Sequence, residues 1–107
     1  MKVSLKFSLV LCLAAAFVTP AFAQSSGADI YKAKCLMCHG PDGLANNSVG
    51  KSLEAVSFKD PTVIKASDAE LFAIVKNGKG TKMPAENGKL TDAQIKAVIQ
   101  YVRTLEK

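Results

Sequence analysis

The clearest apolar pattern lies near the end of the chain. Ile95, Val98, Ile99, Val102 and Leu105 recur three, one, three and three positions apart, which is one face of a helix. Thr91-Asp92-Ala93-Gln94 ahead of them is a capping box, so the spacing predicts a helix from Asp92 to about Leu105. A second capping box, Ser67-Asp68-Ala69-Glu70, opens a helix with Leu71, Ile74 and Val75 on one face and Phe72 nearby, and Gly78 is a natural residue to end it. Asp60-Pro61 reads as an N-cap followed by proline at the first helical position, with a short helix to about Ala66. Gly27 to Cys38 reads as a first helix, with Ile30, Tyr31 and Cys35 at helical spacing and Lys32 and Lys34 on the wet side. Gly40-Pro41-Asp42-Gly43 stops it.

The stretches between are polar. Leu44 to Ser52 has two adjacent asparagines and reads as a loop, with Leu53, Val56 and Phe58 as apolar anchors at its end. Asn77 to Lys82 is glycine-rich and irregular. The proline of Met83-Pro84 pushes Met83 out of the helical region onto an extended strip of backbone. No run alternates with the period of a strand and nothing repeats, so the predicted class is all-α, three to five short helices in one domain.

The first residues read as an export signal rather than as fold. Lys2 and Lys6 precede an apolar run from Phe7 to Val18 that only Ser8 interrupts. Pro20 breaks the run, and Ala21-Phe22-Ala23 is a small-x-small cleavage site. The run is too short to stay in a bilayer as a stop-transfer helix. Cys12 leaves with it, and Leu11 before that cysteine is not the small residue a lipoprotein signal needs. The reading is a signal peptide over residues 1–23 and a single domain over 24–107. The mature chain has no stable membrane insertion and resides in the periplasm or, alternatively, in a thylakoid lumen.

Charge adds little. The net charge of +5, less Lys2 and Lys6, leaves +3 on the mature chain, with Arg103 its only arginine. Lysines are spread without clustering, which is not the dense basic face of a nucleic-acid binder. A domain this short needs a staple or a cofactor to complete its core.

Cys35-Leu36-Met37-Cys38-His39 supplies one. Cys-x-x-Cys-His is the pattern of c-type haem attachment: two thiols add to the two vinyl groups of one porphyrin, and the next residue brings an imidazole to the iron. His39 is the only histidine in the chain. Three other readings compete. A plain Cys35–Cys38 disulfide suits an exported protein. A thioredoxin-like pair needs a βαβ setting, and no strand precedes the motif. A zinc site needs four ligands where the motif offers three side chains. Met37 lies inside the loop that the two thioethers close, so it cannot reach the opposite axial position. Met83 sits in a polar, glycine-rich stretch with nothing to bury beside it. Iron would give it a reason to point inward, and a gap-filling methionine is the alternative.

Over residues 26–107 the chain resembles the small class I c-type cytochromes, the monohaem soluble proteins of the c5, c6 and c553 kind. The features that carry the resemblance come in the family's order. They are a first helix with Gly27 and Tyr31 leading into Cys35–His39, a middle helix ending in Asn77-Gly78, Met83-Pro84-Ala85, and a last helix with Tyr101-Val102-Arg103 and Leu105. The resemblance implies a cytochrome c fold around one covalent haem c. It implies Cys35 and Cys38 as thioether donors, His39 as proximal and Met83 as distal iron ligand, and Gly27 meeting Tyr101 where the terminal helices cross. Two positions depart from it. Many members hold the far nitrogen of the proximal histidine with a backbone carbonyl from a Gly-Pro-x-Leu stretch. Here the stretch reads Gly50-Lys51-Ser52-Leu53, without the proline. Many also place an aromatic two or three residues after the methionine, where this chain has Glu86 near what would be an exposed haem edge, followed by Asn87.

The function implied is a one-electron carrier and not an enzyme. It works as a monomer that docks briefly with redox protein partners, a reductase and an oxidase or photosystem. Lys79 and Lys82 bracket the opening beside Met83 and Lys34, Lys51 and Lys89 join them, and the set reads either as a rim steering toward acidic partners or as ordinary wet surface. The other function class is a haem sensor or enzyme with an open sixth position on the iron.

Overall fold

The computed structural model describes residues 26–107. The signal-peptide reading of residues 1–23 lies outside the described residues. Six helices follow in order: α1 (Gly27–Lys34), α2 (Leu36–His39), α3 (Ser48–Ser52), α4 (Pro61–Lys65), α5 (Asp68–Asn77) and α6 (Asp92–Leu105). The class is all-α as predicted. Among the described residues the only β pairing is two isolated bridges, Lys79 with Met83 and Asn87 with Leu90.

Two elements differ from the sequence reading. The first helix does not run to Cys38. It breaks at Cys35, whose φ of −116° leaves the helical path while its N–H still caps Tyr31. The stretch read as a loop contains α3, because the Asn47 side chain accepts from Gly50 N at 2.6 Å and starts a turn. The predicted caps otherwise form. Asp60, Ser67 and Thr91 all accept from backbone N–H groups of the first turn that follows them. Only α6 closes its box in both directions, with Gln94 reaching back to Thr91 N at 2.8 Å.

The terminal helices α1 and α6 pack on each other, and α5 packs on α6. Gly27 makes the crossing possible: a Cβ there would lie 2.2 Å from the Ala97 carbonyl oxygen and 3.2 Å from Tyr101 Cβ. The buried core is Ile30, Tyr31, Phe58 and Val98, with Tyr101, Val102 and Leu105 packed against it. Tyr31 meets Phe58 edge-on at 6.1 Å and Tyr101 at 5.2 Å. Ile95 and Ile99 complete the buried face of α6. Arg103 ties the end of α6 to the α4–α5 connection, donating to the carbonyls of Val63 (3.2 Å) and Ala66 (2.6 Å) and pairing with Asp68 and Glu106.

The middle of the chain is less covered. α5 carries Leu71, Phe72, Ile74 and Val75, and not one of them is buried. Val56 and Ile64 are exposed.

Candidate functional site

The break at Cys35 builds the site. The turn restarts there: Cys38 N and His39 N both donate to the Cys35 carbonyl, at 3.2 and 2.9 Å. Both cysteines and His39 therefore occupy one turn of backbone. Gly40, at φ +78°, ends that turn, and its carbonyl accepts from the buried Tyr31 hydroxyl. Burial, followed by the negative charges it would meet at Cys35, Tyr101 and Asp42, pushes the Tyr31 phenol well above its ordinary range. It stays a donor, and it anchors the motif to the α1–α6 core.

The backbone under the motif is cradled by α3. Ala45 N donates to the His39 carbonyl at 2.8 Å. Gly50 lies so close that a Cβ would sit 2.3 Å from the Cys38 carbonyl oxygen and 2.8 Å from that of Ala45.

His39 Nδ1 lies 3.1 Å from the Val56 carbonyl oxygen. A carbonyl only accepts, so Nδ1 carries the proton and the lone pair is on Nε2. Phe58 stacks on the ring at 4.6 Å and 23°. Burial pulls the imidazole pKa down, and the bond to Val56 opposes it more weakly. A neutral ring in a fixed tautomer, with Nε2 uncommitted, is the metal-binding form of histidine. The Gly50–Leu53 stretch does not supply the carbonyl. The chain continues through Glu54, at φ +55°, and Val56 supplies it. No side-chain pattern marks a backbone acceptor, so the sequence carried no signal for Val56.

Cys35 and Cys38 are free, half-buried thiols. Burial and then the charge of Glu86 push the Cys35 thiol up to about 11. Met37 is 72% exposed. Among the described residues no group of three or more His, Cys, Asp or Glu side chains is placed to hold a metal ion.

Met83 is half-buried on a separate strip. It exchanges two backbone bonds with Lys79, at 3.1 and 3.3 Å, across the Gly80-Thr81-Lys82 turn. Beyond it, Glu86 N donates to the Val75 carbonyl and Asn87 N to that of Lys76, both at 3.0 Å, so the strip is bound to the end of α5. Lys82 Nζ reaches Glu54 Oε2 at 3.2 Å, linking this strip to the segment that carries Val56. Glu86 is not at an exposed edge as expected; it is buried, and its Oε2 has no partner.

These residues fit a haem. Two free thiols three residues apart suit its two vinyl groups. The uncommitted Nε2 of His39 suits its iron, and the half-covered apolar side chains of α5 suit its faces. A sequence profile of the family described as "Cytochrome C oxidase, cbb3-type, subunit III" matches residues 22–102. The chain belongs to the c-type cytochromes. Membership implies a covalently bound haem c with its iron.

Known relatives and solved structures agree. A structure titled "KustC0563 c-type cytochrome" superposes with a TM-score of 0.69 at 32% identity, covering 77% of this chain and 99% of that one. Cytochrome c6 of a Picosynechococcus species is 37% identical over 104 residues, covering 87% of this chain and 84% of that protein. The FixP subunit of a cbb3-type cytochrome c oxidase from Azorhizobium caulinodans is 36% identical over 84 residues. Against FixP this cytochrome covers 78% of its own length but spans only about a quarter, 27%, of the relative.

Proposed function

We propose that this cytochrome is a one-electron carrier built on residues 24–107, exported through a leader over residues 1–23 and working in the periplasm. Cys35 and Cys38 are the thioether attachment points, His39 is the proximal ligand and Met83 the distal one. The observation that carries this reading is the commitment of His39 Nδ1 to the Val56 carbonyl, on the same turn as two free thiols. When bound, the haem supplies a one-electron Fe(III)/Fe(II) couple.

The chain's own residues set the terms of that couple. Val56 and Phe58 hold the imidazole in one tautomer and one orientation, which raises its quality as a ligand. The soft Met83 thioether favours the reduced state relative to a second histidine. Leu71, Ile74 and Val75 of α5 are half-covered and would exclude water from a bound haem and disfavour the extra charge of its ferric state. With His39 and Met83 both holding the iron, no position would be left for a substrate or for oxygen. Similarity to cytochrome c6 supports redox protein partners; the proposal is that a monomer meets them transiently, through small, weak interfaces.

The lysine rim is thinner than the sequence suggested, because Lys82 pairs with Glu54. Exposed Lys34, Lys51, Lys79 and Lys89 carry the remaining positive charge of that set. Steering by them requires that the rate with an acidic partner fall as salt rises.

The test is intact mass after export from a host with haem-attachment machinery. The proposal requires a mature chain starting at Gln24 plus one haem, and an alkylation-resistant Cys35 and Cys38. A mature mass without haem, with a Cys35–Cys38 disulfide, overturns it. Carbon monoxide binding by the ferrous protein at neutral pH would instead favour the open-iron sensor or enzyme.

A further inference from the structure

Three glycines of the strip around Met83 hold left-handed backbone: Gly78 at φ +77°, Gly80 at +59° and Gly88 at +81°. What a side chain would meet separates them. A Cβ at Gly80 or Gly88 would have nothing within 4 Å. A Cβ at Gly78 would lie 2.7 Å from the Met83 carbonyl oxygen, 2.9 Å from Ala85 N and 3.2 Å from the Pro84 carbonyl carbon. All three are backbone atoms, so no side-chain rotation clears them. With ψ at 175°, Gly78 also sits in a region that only glycine populates readily.

The contact falls where the strip makes no backbone hydrogen bond to α5. Gly78 N donates to the Ile74 carbonyl at 2.8 Å and ends that helix. The chain then leaves through Lys79 to Lys82 and returns at Met83. Before the contact, Lys79 and Met83 exchange their two bonds; after it, Glu86 N and Asn87 N bond back to Val75 and Lys76. Between these pairs Pro84 has no N–H to offer, and Met83-Pro84-Ala85 lies directly on Gly78. The other hold on this strip, from Lys82 to Glu54, has side chains 48% and 82% exposed, and ion pairs in such settings hold little.

We infer that Gly78 is a positioning residue for the distal iron ligand: the absence of a side chain there lets the Met83 backbone rest against the end of α5 and fixes where its sulfur stands. The inference rests on the proposed ligation of iron by Met83. A side chain at Gly78 must push Met83 and Pro84 away by about 0.5–1 Å to restore ordinary contact at about 3.5 Å. A ligand carried by its own chain owes its advantage to placement, and a displacement of this size removes much of it. His39 stands on α2 and takes its carbonyl from Val56, so the proximal side does not depend on this contact.

The test is titration of the haem-loaded ferric protein with imidazole, which competes with Met83 for the iron, followed by loss of the weak far-red band of sulfur ligation. In G78A the apparent affinity for imidazole should rise, on the order of a hundredfold for a displacement near 1 Å. G80A and G88A put a side chain on left-handed backbone in open space. They should lower Tm yet leave the imidazole affinity near that of wild type. E54Q, which removes the exposed pair, should raise the affinity by about fivefold at most. A G78A protein with wild-type imidazole affinity overturns the proposal. So does an equal rise in G78A and G80A, which makes any loosening of the strip sufficient. A rise in E54Q as large as that expected of G78A overturns it as well, because the ion pair is then the hold. A G78A chain that loads no haem does the same, since Gly78 would then serve the whole fold rather than one ligand. A wild type with haem but no far-red band sinks the Met83 ligation itself, and no haem at all sinks the carrier reading.

Discussion

Replacing Gly27 by alanine tests the crossing on which the motif hangs. The new Cβ would sit 2.2 Å from the Ala97 carbonyl oxygen, 2.8 Å from the Ala97 carbonyl carbon and 3.2 Å from Tyr101 Cβ. Two of the three obstacles are backbone of α6 and cannot rotate away. Ordinary contact begins at about 3.5 Å, so α1 and α6 must separate by about 1 Å at that end. Overpacking of this kind costs about 1–3 kcal/mol. Alanine returns at most about 1 kcal/mol of helix propensity, and less at the first position of α1. The net loss is about 1–2 kcal/mol. At about 4–8 °C per kcal/mol for a domain of this size, Tm should drop by roughly 5–15 °C. The assay is thermal unfolding of the haem-loaded protein by far-ultraviolet circular dichroism, with guanidinium unfolding to check that the m-value is unchanged. A G27A protein as stable as wild type would refute the reasoning, since the helices would then not cross as closely at Gly27 as these distances require.

Other outcomes follow from single contacts. Arg103→Ala strands the carbonyls of Val63 and Ala66 and breaks the pairs with Asp68 and Glu106, and should cost about 2–3 kcal/mol by guanidinium unfolding; Arg103→Lys, without the fork, should recover less than half. Tyr31→Phe removes the buried bond to the Gly40 carbonyl and should cost about 1–2 kcal/mol at neutral pH. The same variant has a pH signature: the folded phenol's pKa is raised above that of the unfolded chain, so its contribution is full below about pH 10 and is lost as pH rises beyond that. The gap between wild type and Tyr31→Phe, measured by unfolding at stepped alkaline pH, should therefore shrink above about pH 10, and a constant gap would contradict it. Met83→Ala should open the sixth position, abolish the far-red band, permit carbon monoxide binding and lower the potential by on the order of 0.1 V, a fraction of the ~0.8 V that axial ligands span; carbon monoxide titration and potentiometry check it.

Much of this architecture could be read from the chain because it rests on side-chain periodicity and local caps. The α6 face, the Thr91–Gln94 box and the Asp60-Pro61 start are all carried by side chains at fixed spacing, whereas the Gly27–Tyr101 meeting came only from the resemblance to the class I cytochromes. What escaped is backbone and tertiary. The kink at Cys35 is a backbone dihedral. α3 is one turn long, too short for a period, and depends on a single Asn47 cap. Val56 contributes a carbonyl, which every residue owns. Arg103 has partners 37 and 40 residues earlier, at Ala66 and Val63, so no local rule links them. The resemblance puts Glu86 at an exposed haem edge, where many relatives have an aromatic, yet it is buried, its backbone bonded to Val75, Lys89 and Leu90.

The central claim is that His39 and Met83 hold the iron of a haem fixed by Cys35 and Cys38. The most direct measurement is the optical spectrum of the exported, mature protein, oxidised and reduced. A sharp low-spin α-band is expected on reduction, and in the ferric state a weak far-red band that disappears in Met83→Ala. A high-spin spectrum in the wild type, or a far-red band that survives loss of Met83, would contradict it.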